Sequence, residues 1–227
     1  GLGAARIRHA HDTVTDPNFP PMIESMRATP PVPNSGFRNV DRWGGVSQLL
    51  HWTVVILILV MAYLGLTMTD LPNGPPKIRI YNLHKSIGLT ILAIVALRVL
   101  WRMWAGSPTK IPTIPHWQQR IADIGHIGLY VLLFAVPLSG WVMNSYAGFP
   151  LRWFGLFHVP ALATRDHDLH ELWETVHEVL FWALAVLASG HAFAAIYHHL
   201  FQHDATLSRM LPKGWLRAPA PPESRNV

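Results

Sequence analysis

Residues 46–68 read VSQLLHWTVVILILVMAYLGLTM, and no charged residue lies between Arg42 and Asp70. A membrane-spanning helix needs about 20 mostly apolar residues, so this stretch is long enough to cross a bilayer. Working outward along the chain, three further stretches meet the same requirement, at about residues 80–104, 118–146 and 169–202. The sequence therefore predicts an all-α membrane protein, a four-transmembrane-helix bundle.

The composition of the 227 residues agrees with a membrane location. Half of them are hydrophobic and only 14% are charged, whereas soluble proteins carry about 25% charged residues. Cysteine is absent, which excludes disulfide scaffolds, iron–sulfur clusters, thiolate zinc sites and a covalently attached c-type haem. Histidine, in contrast to cysteine, is abundant, with fourteen residues. Imidazole is therefore the first candidate for the chemistry of this protein.

The predicted orientation follows from lysine and arginine near the helix ends, which favour the cytoplasmic side. Lysine and arginine are frequent in three segments: the amino-terminal segment, the loop after the second helix and the carboxyl-terminal tail. In the other two loops acidic residues offset the basic ones. Both termini are predicted to be cytoplasmic. The chain then divides into an arm at 1–37, a membrane domain at 38–213 and a cytoplasmic tail at 214–227. Membrane lipid is an expected partner and nucleic acid is not, because little chain lies outside the membrane.

The arm, residues 1–37, holds six prolines and few large apolar residues. Such a segment is expected to be extended or disordered by itself. Its alternative role is to become ordered against a partner protein.

Four histidines fall at matched depths in the predicted helices. His177 and His191 are 14 residues apart on the fourth helix, so they differ by only about 40° in direction and about 21 Å in height. An antiparallel path of the chain places His51 level with His191, and His84 level with His177. Two opposed histidine pairs result, one near each membrane face.

Two imidazoles that face each other across a dry bundle suit a low-spin haem held on both faces. Such an iron has no open coordination position, so it transfers electrons and does not bind oxygen. The predicted axial ligands are His51 and His191 for a cytoplasmic-side haem, and His84 and His177 for a periplasmic-side haem. The alternative is that these side chains are polar groups of the core.

Neighbouring residues can serve the same two sites. Gly65 and Gly88 would let a flat macrocycle approach the backbone, or would serve helix packing alone. Arg98 and Lys85 are candidates to pair with haem propionates, although Arg98 can also extend toward the cytoplasm. His126 lies at the depth of the cytoplasmic-side pair and could replace either of its members.

The remaining histidines allow two other readings. His198 lies seven residues after His191 on roughly the same helix face, where it could hydrogen-bond a quinone carbonyl. A minor alternative is a zinc or copper site, because neutral imidazole binds both metals. Its candidate ligands are His167, His170, His198, His199 and His203.

Several short motifs together resemble the bacterial cytochrome b561 family over about residues 38–213. They are QLLHW at 48–52, LHKSIG at 83–88, GH at 125–126, PLSGW at 137–141, HE at 177–178, GHA at 190–192, HH at 198–199 and SRMLP at 208–212. The resemblance implies four membrane helices, two b haems and a place in the bacterial inner membrane. The family's ligand positions match His51, His84, His177 and His191, whereas His126 matches a position that is not a ligand.

The resemblance also implies a function. Members of the family carry electrons between the outer membrane face and the ubiquinone pool, and one known activity is superoxide:ubiquinone oxidoreduction. The first hypothesis is therefore superoxide oxidation coupled to quinone reduction. The long arm departs from the family pattern and favours a second hypothesis, a non-catalytic di-haem subunit docked to a larger respiratory or dehydrogenase complex. No G-x-G-x-x-G or Walker motif occurs, so electrons must come from a small donor or from another protein.

Overall fold

The computed structural model describes residue 39 and residues 41–111 and 114–216. The predicted arm at 1–37 and residues 217–227 of the predicted tail lie outside this part. The described elements are α1 (Gly45–Met68), α2 (Pro75–Ala105), α3 (His116–Ala147), β1 (Leu151–Trp153), β2 (Phe157–Val159), α4 (His167–Leu200) and a short 3-10 turn (Ser208–Met210). All four α-helices are long and apolar enough to cross a membrane, as the sequence predicted.

The helix ends coincide with residues that stop or start helices. Pro75 opens α2 directly after Gly74, and Gly106 ends it with a positive φ of 78°. Gly148 closes α3 in the left-handed conformation that glycine adopts without steric cost. Asp166 caps α4 by accepting the Leu169 N–H at 3.0 Å.

The helices pack in chain order, α1 against α2, α2 against α3 and α3 against α4. A small apolar core lies between them, built from at least one side chain of every helix: Val54, Ile91, Val95, Leu133 and Leu184. Many other large apolar side chains point outward, including Leu59, Leu97 and Val186. This distribution is expected of a bundle whose outer surface is solvated by lipid.

A β-hairpin follows α3, in a stretch that the sequence analysis treated as loop. Trp153 pairs with Phe157 across the antiparallel strands. The turn uses two consecutive positive φ values, 45° at Phe154 and 76° at Gly155. The Ser86 hydroxyl accepts the Phe154 N–H at 3.0 Å, and the Trp153 indole donates to Thr90 at 3.0 Å. The hairpin is therefore fixed against α2 at the end of the bundle where α2 begins.

The opposite end of the bundle is closed by a set of hydrogen bonds between the two ends of the described chain. Gln48 donates to the Leu211 carbonyl at 3.1 Å, and the Trp52 indole donates to the Met210 carbonyl at 3.0 Å. Arg42 donates to the same Leu211 carbonyl. These contacts bring the start of α1 and the segment after α4 together on one side, which the sequence assigned to the cytoplasm.

Candidate functional site

The fold brings the four histidines together as two pairs. The ring centres of His84 and His177 are 6.4 Å apart and their planes meet at 74°. The ring centres of His51 and His191 show the same separation and the same angle. Following the predicted orientation, we call His84 and His177 the outer pair, and His51 and His191 the inner pair.

The spacing of each pair matches the space that one iron ion requires. A metal–imidazole nitrogen bond is about 2.0 Å long and the ring centre lies about 1.1 Å behind that nitrogen, so two imidazoles on one iron have centres about 6.2 Å apart. Both pairs lie close to this value. The residues present therefore fit a haem held on both faces.

In the outer pair, the His177 ring is held by two polar contacts. His177 Nδ1 lies 3.0 Å from the Val136 carbonyl and 2.9 Å from the Ser139 hydroxyl. A proton on Nδ1 satisfies the carbonyl and leaves the Nε2 lone pair free for a metal. A Cβ added at Gly140 would lie only 3.1 Å from His177 Cε1, and one at Gly65 would lie 3.4 Å from His84 Cε1.

Two glycines that the sequence selected have different neighbours. Gly65 packs directly against the His84 ring, whereas Gly88 faces the Met61 methyl group, 3.6 Å from an added Cβ. Gly140 is not among the site residues predicted from the sequence. One signal was available, because Gly140 follows His126 by the same 14 residues that separate Gly65 from His51.

The inner pair has a third imidazole beside it. The ring centre of His126 lies 5.2 Å from that of His191, with an angle of 68° between the planes. The structure thus places His126 beside the inner pair, where the sequence had left it as an alternative to either member of that pair. Its distance to His191 differs from the 6.4 Å that the two pairs share.

Cationic side chains lie near both pairs without an acidic partner. The Arg98 and Arg102 guanidinium groups lie 5.6 Å and 5.7 Å from the centre of the Tyr130 ring. Within residues 39–216 as described, neither has a carboxylate within 4.0 Å. Lys85 donates to the Asn144 side chain at 3.2 Å. Half-buried cations of this kind fit carboxylates of a ligand, and Arg102, one turn after Arg98, was not among the predicted propionate partners.

His198, the predicted quinone residue, is paired with a carboxylate that the sequence analysis missed. Its Nδ1 lies 2.6 Å from Asp204 Oδ2. Burial alone raises the pKa of the Asp204 carboxyl, but hydrogen bonds from Thr206 and His198 outweigh burial and hold this pKa below its usual value. Asp204 is therefore ionised at neutral pH.

The histidines of the metal alternative do not converge. His167 is exposed, with Glu171 Oε1 at 3.5 Å, and His170 Nδ1 contacts the Met143 carbonyl at 3.2 Å. Among the described residues no three histidine, aspartate or glutamate side chains are grouped to hold a metal ion. The structure gives this alternative no support.

The chain is similar in sequence to known proteins over most of its length. A sequence model of the prokaryotic cytochrome b561 family matches residues 42–213. Cytochrome b561 homolog 2 of Escherichia coli K12 is 35% identical over 76% of this chain and 93% of its own length. Cytochrome b561 homolog 1 of the same organism is 28% identical over 77% and 99%. The probable superoxide oxidase CybB of Yersinia pestis is 27% identical over 72% and 92%.

Proposed function

The chain belongs to the prokaryotic cytochrome b561 family, and we propose that it passes electrons from a donor at the outer membrane face through two b haems to ubiquinone. The family itself implies a b-type haem, transmembrane electron transfer and a multi-pass bacterial membrane protein. The number of haems, their ligands, the donor, the acceptor and the cytoplasmic location of both termini are parts of the proposal.

One observation carries the proposal: the two histidine pairs have the same geometry at opposite ends of the bundle. In this proposal His84 and His177 would hold the outer haem, and His51 and His191 would hold the inner haem. His126 is not a ligand in this assignment, because its ring centre is 5.2 Å from that of His191, too close for an iron between them. Arg98 and Arg102 near the inner pair and Lys85 near the outer pair supply positive charge for the propionates.

The residues of the chain then set what each site can do. A bound haem supplies a one-electron redox centre, and two histidine ligands leave no coordination position for oxygen. The offset of 14 residues from His177 to His191 separates the sites by about 21 Å along α4. Buried apolar side chains such as Val54 and Val95 lie in the core between the helices.

Superoxide is the proposed donor. The Yersinia pestis relative is named a probable superoxide oxidase, and the cationic side chains of Lys85 and Arg165 lie near one another at the outer end of this chain, on either side of Asn144. Beside the Asn144 side chain that Lys85 contacts lies a cavity of about 290 Å³, lined in part by His158 and Arg165. Positive charge around such an opening raises the encounter rate of a small anion.

Rapid mixing of the oxidised, haem-loaded protein with superoxide tests this function. The b-haem absorption bands should change to those of the reduced form, and added ubiquinone should restore the oxidised spectrum. Haems that superoxide does not reduce, but that a co-purifying protein does reduce, would favour the docked-subunit function instead. Well-folded protein that binds no haem under any loading condition would contradict the ligand assignment.

Reversing the charge of Lys85 should slow superoxide-driven haem reduction. Lys85→Glu replaces attraction by repulsion beside the outer pair, and electrostatic steering changes rates by about 10-fold or more at low salt. The slowing should shrink as ionic strength rises, because salt screens the charge. Lys110→Glu is the matched control, since Lys110 lies at the opposite end in an exposed ion pair with Asp123. Equal rates for both variants at low salt would remove the steering claim.

The second candidate function, a di-haem subunit docked to a larger complex, is favoured by the amino-terminal region. Residues 1–41 precede the part that matches the family. Asn39 anchors the end of this region by donating to the Gly106 carbonyl and accepting the Gly44 N–H, both at 2.7 Å. Asn39, two residues after the arm, is thus held at the inner end of the bundle.

Deleting residues 1–37 separates the two functions. The deletion leaves Asn39 and its hydrogen bonds in place, so haem content and folding should not change. A stand-alone enzyme keeps its superoxide-driven quinone reduction, whereas a docked subunit loses co-purification with its complex from native membranes. Asn39→Ala in the full-length chain is the control, because it weakens the anchor and retains the arm.

A further inference from the structure

The end of α4 carries a buried ionisable pair that the electron path by itself does not explain. His198 Nδ1 and Asp204 Oδ2 lie 2.6 Å apart, and their side chains are only 19% and 7% exposed. His198 follows His191 by seven residues, so it lies about 10 Å further along α4 and only about 20° away in direction. The pair therefore occupies the same side of α4 as the inner histidine, between that histidine and the cytoplasm.

The chain after α4 is folded so that this carboxylate returns to the helix. His203 adopts a positive φ of 52°, a conformation that residues other than glycine rarely take. The Asp204 N–H then donates to the His198 carbonyl at 3.2 Å, and Asp204 Oδ1 accepts the Thr206 N–H at 2.8 Å. The carboxylate is thus fixed by its own turn before it contacts the imidazole.

The contact determines the chemical form in which His198 can act. An ionised carboxylate accepts a hydrogen bond from the Nδ1–H group, keeps its own charge and stabilises the positive charge of the imidazolium, as a carboxylate does for the histidine of a catalytic triad. The second ring nitrogen, Nε2, has no hydrogen-bond partner within the part of the chain that the structure describes. It is therefore available to donate a proton to a ligand.

We propose that Asp204 is a positioning residue that holds His198 as the proton donor to a quinone bound beside the inner histidine pair. This inference rests on the proposed function, which supplies the acceptor. Reduction of a quinone to a quinol takes two electrons and two protons. Two one-electron transfers from the outer-face donor provide the electrons, by way of the inner site. The N–H bond at His198 Nε2 breaks as an O–H bond forms on the quinone oxygen, and cytoplasmic water supplies the second proton and reprotonates His198.

A purely structural role for Asp204 makes a different prediction. If Asp204 only closes the turn after α4, its replacement changes stability and leaves the proton-transfer step alone. If it acts through His198, the rate at saturating quinone falls while the KM for quinone changes little. Proton transfer also becomes slower than electron transfer, so the solvent deuterium isotope effect on the rate increases.

The test uses the haem-loaded, full-length protein reduced with dithionite and mixed rapidly with a short-chain ubiquinone, which makes it independent of superoxide. In Asp204→Asn and His198→Gln, the haem spectrum should match the wild type. Reoxidation at saturating quinone should slow by about 10–100-fold, since a positioned acid contributes about 10²-fold or more. The double variant should be no slower than the slower single variant, because both substitutions disable the same His198–Asp204 pair. Asp123→Asn, which removes an exposed carboxylate paired with Lys110, should leave the rate unchanged.

The outcomes separate this inference from the function on which it rests. If quinone does not reoxidise the reduced haems of the wild-type protein, the proposal that quinone is the acceptor is contradicted, and so is this inference. Wild-type reoxidation that Asp204→Asn does not slow, or that changes in KM alone, would overturn the inference only. If Asp204→Asn loses its haems, His198→Gln decides, because it leaves the bond between Asp204 and Thr206 intact. An unchanged rate in that variant overturns the inference.

Discussion

Replacing His84 with alanine is expected to leave one b haem per chain in place of two and to reduce superoxide-driven quinone reduction to background. The outer iron would lose one of its two strong ligands. His177 alone, held by Val136 and Ser139, cannot retain a haem on both faces. The haem-to-protein ratio and the number of low-spin ferric signals in the electron paramagnetic resonance spectrum measure the loss. Retention of both signals in His84→Ala would contradict the outer ligand assignment.

His126→Ala is the matched control for this prediction. His126 is a largely buried imidazole of the same bundle and packs against His191, so its replacement creates a similar cavity without removing a proposed ligand. We expect this variant to keep both haems and His51→Ala to lose the inner one. The opposite result at the inner end, a haem lost in His126→Ala and kept in His51→Ala, would exchange the roles of these two residues and leave the outer assignment intact.

The features that could be predicted from the sequence are those that one helix can encode. A run of apolar residues fixes the existence of a membrane helix, and all four predicted helices are present. The 14-residue spacing between His177 and His191 fixes a common helix face. Antiparallel packing then brings His84 and His51 to the matching depths, and the rings meet at equal distances in the two pairs.

The features that were missed depend on contacts between distant segments. The hairpin at β1 and β2 is short, and its place is set by Ser86 and Thr90 on α2, more than 60 residues away in the chain. The hydrogen bond between His198 and Asp204 depends on a turn in which His203 adopts the left-handed backbone conformation. No local sequence pattern predicts this conformation. Whether a glycine serves the site likewise depends on which side chain packs against it. Gly65 packs against a histidine ring, and Gly88 packs against a methionine methyl group.

Gly140→Val is expected to remove the outer haem while the inner one remains. The first side-chain carbon at this position would lie 3.1 Å from His177 Cε1 and 3.3 Å from Nδ1, and the valine methyl groups extend further. The ring cannot stay where it is, because it must either move away from α3 or rotate. Either motion breaks the 3.0 Å contact between Nδ1 and the Val136 carbonyl and turns Nε2 away from His84. The haem-to-protein ratio should fall from two toward one, and the inner haem serves as an internal reference.

Gly190→Val separates this steric effect from the general cost of valine in a helix. Gly190 also lies inside a membrane helix, but a Cβ there has no neighbour within 4 Å among the described residues, apart from the adjoining backbone of its own helix. It directly precedes His191 in the chain, so any disturbance of the helix backbone would appear first at the inner haem. We expect Gly190→Val to keep both haems, since no side chain of the described part of the protein lies where the new Cβ would be. Equal haem loss in the two variants would mean that backbone disturbance, and not contact with His177, governs the outer site. Loss confined to Gly140→Val would show that this glycine is required because the His177 ring needs the space that a side chain would fill.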